Sequence, residues 1–184
     1  METLKPQVKR FPDLDPLRVN PEGEQAVQRG ISRGLSGEVK IVGLHNRELV
    51  RFLESDQAAR PVSSSFTPDH IVYSGHKPLW IDAQTLASEH AVDRTAELAG
   101  EYIRREGVAP KIALAEGTGA FGIGAAVGQA ESAVLVFLDT VKVAVYSESF
   151  GGPSFMPEEQ IQFIRSWEVE KYRARISESD GQKK

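Results

Sequence analysis

The stretch Lys111-Ile-Ala-Leu-Ala-Glu-Gly-Thr-Gly-Ala-Phe-Gly-Ile-Gly124 constrains this chain more than any other. A run with strand character enters a glycine cluster, and a helical pattern leaves it. Ala130, Ala133, Val134, Phe137, Val141, Ala144 and Val145 recur at intervals of three and four, which predicts a long amphipathic helix over 125–149. Gly117, Gly119 and Gly122 match G-x-G-x-x-G, the pattern that sets a pyrophosphate on a helix N-terminus. That use also requires a second parallel strand ending in an acid that holds a ribose. The segment after the helix, SFGGPSFMPEEQ, has no β-branched run and no acid at a strand end. Large apolar residues interleave with glycine over 120–123, which suits a strand. The expected role of these glycines is to let strands turn and pack closely on a helix. Nucleotide binding is the weaker alternative.

Elsewhere helix and strand patterns alternate, which predicts an α/β fold. Ala26, Val27, Ile31 and Leu35 share a helical face over 23–35, and Gly37 marks its end. Val39, Ile41 and Val42 form a short strand, and Asn46 caps a helix carrying Leu49, Val50 and Leu53. Thr67 before Pro68 starts one helical turn, Leu79 to Ile81 form a second strand, and 84–106 reads as one long helix ended by Gly107. Lys111 to Ala115 and Ala120 to Ile123 are the third and fourth strands. Gly151, Gly152 and Pro153 stop the long helix, and Pro157 opens a last one with Ile161, Ile164, Trp167 and Val169 as its stripe. The expected organisation is an arm over 1–22, one domain over 23–176 and a frayed tail over 177–184.

Composition narrows the function classes. The 184 residues carry a net charge of -4, and no basic stripe marks a nucleic-acid partner. There is no cysteine, so disulfide and thiolate chemistry are excluded. No apolar run reaches membrane-spanning length, and the N-terminus lacks a signal-type core. A cytoplasmic location and no membrane partner are expected.

The residues that carry chemistry are few. His70 and His76 lie six apart across a glycine-containing turn with Asp69 adjacent, the weak candidates for a metal pair or for acid–base work. A His-x-His pair is missing. Ser63, Ser64 and Ser65 lack a nucleophile elbow and suit loop hydrogen bonding. Lys77 is a possible phosphate contact, Trp80 and Trp167 are anchors for a core or an interface, and Glu158 and Glu159 fit a helix first turn.

Three segments together resemble the class II aldolase/adducin family. They are Ser65-Phe-Thr-Pro-Asp-His70-Ile-Val-Tyr73 with Lys77-Pro-Leu-Trp-Ile-Asp82, then Leu114 to Gly124 with its helix, then Phe150-Gly-Gly-Pro-Ser-Phe-Met-Pro-Glu-Glu-Gln-Ile-Gln-Phe-Ile-Arg-Ser-Trp-Glu-Val-Glu-Lys-Tyr172. They run in the family's order over roughly 40–173 and are similar to the C-terminal part of the aldolase region in long members. The resemblance implies a three-layer α/β module and the cleavage of phosphorylated ketoses by a zinc ion that polarises the carbonyl. It implies a zinc site built from a His-x-His pair and a further histidine. Catalytic members commonly place Asn-His-Gly at the glycine junction, where this chain has Gly117-Thr118-Gly119. The expectation is therefore a degenerate aldolase-like module, non-catalytic alone, that pairs with a catalytic aldolase half or a second subunit in an oligomer. A phosphorylated sugar is the implied ligand. The enzymatic alternative is an independent metal-dependent lyase using His70 and His76, with zinc as its cofactor.

Overall fold

The glycine stretch folds as a β-hairpin. Strand β3 (Ile112–Ala115) turns through 116–118 into β4 (Gly119–Gly124), with Ala115 opposite Gly119 and Ile112 opposite Gly122. Gly117 takes φ 65° at the turn, a left-handed conformation that favours glycine. The computed structural model describes residues 8–18, 21–35 and 37–167. Strand β1 (Lys40–Leu44) pairs antiparallel with the other side of β4, and β2 (Leu79–Ile81) pairs parallel with β3. The sheet order is β1-β4-β3-β2.

Strand alternation divides the core in two. Ile112, Leu114 and Ala120 face one cluster with Leu49, Phe52, Phe137, Val141 and Val145. Ala113, Ala115, Phe121 and Ile123 face the other with Val27, Ile31, Ala99 and Tyr102. The first face is covered by α2 (Arg47–Phe52) and the long α6 (Val127–Ser147), the second by α1 (Pro21–Gly34) and α5 (Ala91–Glu106). The chain is thus α/β with helices on both faces of one small mixed sheet. Gly122 is required by this layering: a Cβ there would lie 2.3 Å from the Ala130 carbonyl oxygen of α6.

The expected caps are present. Asn46 Oδ1 accepts from Leu49 N at 2.9 Å, Thr67 Oγ1 accepts from His70 N at 3.3 Å, and Gly107 ends α5 at φ 76°. The single helix expected over 84–106 is instead two. A one-turn helix, α4 (Ala83–Leu86), is capped by Asp82, whose carboxylate accepts from Thr85 N at 2.7 Å and Thr85 Oγ1 at 3.1 Å. The Ser88 hydroxyl then accepts from His90 N, and Ala91 N donates to the Ser88 carbonyl, so the backbone turns before α5 begins. A further one-turn helix, α3, spans Asp56–Ala59.

Residues 8–18 contain no helix, yet they are fastened to the domain. The carbonyls of Asp13 and Asp15 accept from Glu48 N and Arg47 N at the start of α2, donors that no helix can satisfy internally. Arg10 bridges the buried Glu48 at 2.7 Å and Glu148 at 3.0 Å. At the other end, Phe155 stacks 4.9 Å from Phe66, Met156 N donates to the Ser65 carbonyl at 3.0 Å, and helix α7 runs over 158–167. Val169 and the expected tail lie outside the described residues.

Candidate functional site

The Thr67-Pro68-Asp69-His70 motif leads into a five-residue π-helical turn, His70–Ser74. This winding alternates exposure. Ile71 and Ser74 are buried, whereas Val72 and Tyr73 are exposed. Asp69 is exposed, and His70 is turned inward, where its Nδ1 accepts from Phe66 N at 3.3 Å. Burial pushes the His70 pKa down, against the pull of Asp139 and Asp69. The imidazole is therefore neutral near pH 7, and one ring nitrogen is already engaged.

His76 has a different fate. It is buried beside Glu106, with Nε2 3.2 Å from Oε2. Glu106 also accepts from Arg165 of α7 at 2.7 Å and from Arg105 at 3.0 Å, and the Arg165 guanidinium reaches the Glu106 carbonyl at 3.1 Å. Burial, then Arg165, push the His76 pKa down to about 4, so its ring is neutral and the carboxylate's charge is matched by arginine. This cluster clamps α7 to the end of α5. Sequence reading missed it, since Glu106 and Arg165 stand 59 residues apart and no local pattern joins them.

His70 and His76 thus serve two separate networks. Among the described residues no three His, Asp or Glu side chains converge as a metal-donor set, so these two do not fit the zinc site of a catalytic aldolase. Lys77 is exposed. Ser63 donates to the Arg60 carbonyl, and Ser65 to the Gly75 carbonyl at 3.4 Å, both ordinary loop bonds.

The glycine hairpin offers no anion cradle either. Glu116 N, Gly117 N and Thr118 N donate to the carbonyls of Ile81, Leu53 and Ala115. The glycines of the dinucleotide pattern lie in a turn and along a strand, not in a loop at the mouth of a helix. What the hairpin does receive is a histidine from elsewhere. His45, at the end of β1, lies against Gly119, where a Cβ would sit 2.2 Å from its Nδ1, and edge-on to Phe121 at 5.7 Å. A glycine at 119 is the condition for that imidazole to fit. The sequence signal was a pair of glycines, Gly43 and Gly119, that become neighbours of one ring only in the sheet.

A groove of about 650 Å³ opens near the clamp, walled by Val39, Tyr73, Ile103, Ile123, Ile164 and Trp167. Tyr73 lines it from the π-helical turn, Ile123 from β4, and Ile164 and Trp167 from α7. On α7 the exposed rings of Phe163 and Trp167 pack 5.4 Å apart. No helix of the described residues is long and apolar enough to cross a membrane. Comparison with protein-family models finds none that matches this chain, and comparison with characterised proteins finds no match.

Proposed function

We propose that this chain is a class II aldolase-like module that works with a catalytic aldolase half, or with a second subunit that supplies one, in the zinc-dependent cleavage of a ketose 1-phosphate. The observation that carries the reading is the convergence of the three resembling segments. The Ser65 carbonyl accepts from Met156 N, Phe66 stacks on Phe155, and Trp80 and Ile81 pair with Leu114 and Ala115 in the sheet. Residues distant in sequence build one wall, and that wall holds no three-donor metal set among the described residues. The module is non-catalytic alone because His70 and His76 are engaged within the fold, His70 with Phe66 N and His76 beside Glu106.

The docking surface is α7, which is clamped to α5 from one side and presents Phe163 and Trp167 on the other. Aromatic anchors of this kind carry a large share of interface energy. The partner is an aldolase chain with a His-x-His pair and an Asn-His-Gly junction. Affinity purification of the chain from its native source, with mass spectrometry of what is retained, tests this. The reading expects such an aldolase chain in stoichiometric amount, lost in a Phe163→Ala/Trp167→Ala double variant that keeps its circular dichroism. Retention that the double variant leaves unchanged argues against α7, and absence of any aldolase chain argues against the function.

A further inference from the structure

Helix α7 is held to the domain at few points. Over residues 158–167 Ile161 alone is buried, and Phe163 and Trp167 are exposed. An element with so little covered apolar surface opens more readily than the core beside it. Its polar fastening is Arg165, whose guanidinium bonds the Glu106 carboxylate at 2.7 Å and the Glu106 carbonyl at 3.1 Å. Both partners of that bond are largely covered.

The same carboxylate faces His76. The ring's Nε2 lies 3.2 Å from Glu106 Oε2, and neither that nitrogen nor Arg165 Nε has a hydrogen-bond partner. Arg105 takes the other carboxylate oxygen at 3.0 Å. Lys77 and, last in effect, Glu158 of α7 complete the charges that act on the ring. From α5, Tyr102 donates to the Lys77 carbonyl at 2.7 Å, which ties the segment carrying His76 to the domain without help from α7. One carboxylate thus balances two arginines, and a proton on His76 would bring a third cation to it. In the seated arrangement burial, then Arg165, oppose that charge. The opposition is reciprocal: as Arg165 disfavours a charged ring, a charged ring disfavours the seating of Arg165.

We infer that His76, Glu106 and Arg165 form a proton-operated latch, which releases α7 when the ring is protonated and leaves the sheet and its other helices in place. With α7 released, the ring meets water and binds its proton near the ordinary 6.5, whereas under a seated α7 it does so near about 4. Between these values the open form holds more protons, so acid favours opening there, and above 6.5 the balance does not change with pH. Glu106 acts in the same direction lower down, since its carboxyl is held below the ordinary 4.5 while α7 is seated. The inference rests on these contacts. It depends neither on the aldolase reading nor on what docks against α7.

The test is hydrogen–deuterium exchange of the full chain, read by peptide mass spectrometry and divided by the intrinsic rate at each pH. Opening over 158–167 is expected to rise about twentyfold from pH 7 to pH 5. Protection over 130–145 of α6 should stay at least tenfold higher throughout, which shows that α7 opens by itself. In His76→Gln the rise over 158–167 should vanish. That variant leaves intact His70, which reaches the approach to α7 through Phe66 and Phe155, and so separates the two histidines. Should His76→Gln fail to fold, ¹H–¹⁵N spectra of the histidine rings in the parent decide. The His76 ring is expected to take its proton below pH 6.5, and Arg165→Gln to move that step upward. The latch is overturned by an α7 unprotected at pH 7, by opening that does not change with pH, or by a rise that persists in His76→Gln. So it is by α6 exchanging in the same opening as α7, or by a His76 step that Arg165→Gln leaves in place.

Discussion

At the residue scale the chain is marked by what its histidines do. His45, His70 and His76 are turned inward and held neutral by burial, each with a pKa pushed below the ordinary histidine value. An unfolded chain binds a proton at each near pH 6.5, whereas the folded chain binds it only at lower pH, about 4 for His76. Between those values the unfolded state holds more protons, so stability must fall as pH drops from about 6.5 towards 4. Each such histidine steepens the decline by up to about 1.4 kcal/mol per pH unit. Urea unfolding across this window should show His76→Gln with a shallower slope than the parent. An identical slope would mean that His76 is not buried neutral. Below that window a second decline follows, because Arg10 and Arg51 hold the Glu148 carboxyl down at about 2. That carboxylate gives stability above its ordinary pKa, and the stability is lost as acid protonates it. Glu106 faces His76, Arg165 and Arg105, so Glu106→Gln leaves the largely covered Arg165 guanidinium without its charge partner. The expected cost is about 3 kcal/mol, and an unfolding free energy within 1 kcal/mol of the parent would contradict the clamp.

At the element scale, helix–helix packing depends on glycines whose purpose is invisible locally. Gly30 and Gly34 lie one turn apart on α1, a spacing that sequence treats as ordinary helix interior. In the fold they face α5, where a Cβ on Gly30 would lie 2.4 Å from the Thr95 Cβ and one on Gly34 would lie 2.4 Å from the Ala96 carbonyl oxygen. Alanine gains about 1 kcal/mol of helix propensity over glycine, but overpacking costs about 1–3 kcal/mol. Gly30→Ala should therefore lower the melting temperature, and a rise would show that α1 and α5 are less close. The four strands, the Asn46 and Thr67 caps and the stops at Gly107 and Gly151 were legible in the sequence, because caps, glycine stops and periodicity act over three or four residues. The break between α4 and α5 was not. It rests on Asp82 and Ser88 side chains competing for backbone groups inside an otherwise helical pattern. The Glu106–Arg165 clamp and the His45–Gly119 contact were equally hidden, since each joins residues that only the sheet and its flanking helices bring together.

At the scale of the whole molecule, one mixed sheet is covered on both faces and tied at both ends of the described chain. Residues 8–18 are bound through Arg10 and the backbone of α2, and α7 through Arg165 and Ile161. The glycine motif that resembles a nucleotide cradle is the hairpin at the centre of this sheet, with its turn N–H groups spent on neighbouring carbonyls. The aromatic pair of α7 faces outward beside the groove. We propose that the module contributes to aldol cleavage only in company. The most direct measurement is release of dihydroxyacetone phosphate from a ketose 1-phosphate in the presence of zinc, followed with the purified chain and with its complex with the aldolase partner. No release above the uncatalysed rate is expected from the chain alone, and turnover from the complex, reduced when Phe163→Ala/Trp167→Ala breaks the contact. Zinc-dependent turnover by the chain alone, abolished by His70→Ala or His76→Ala, would contradict it.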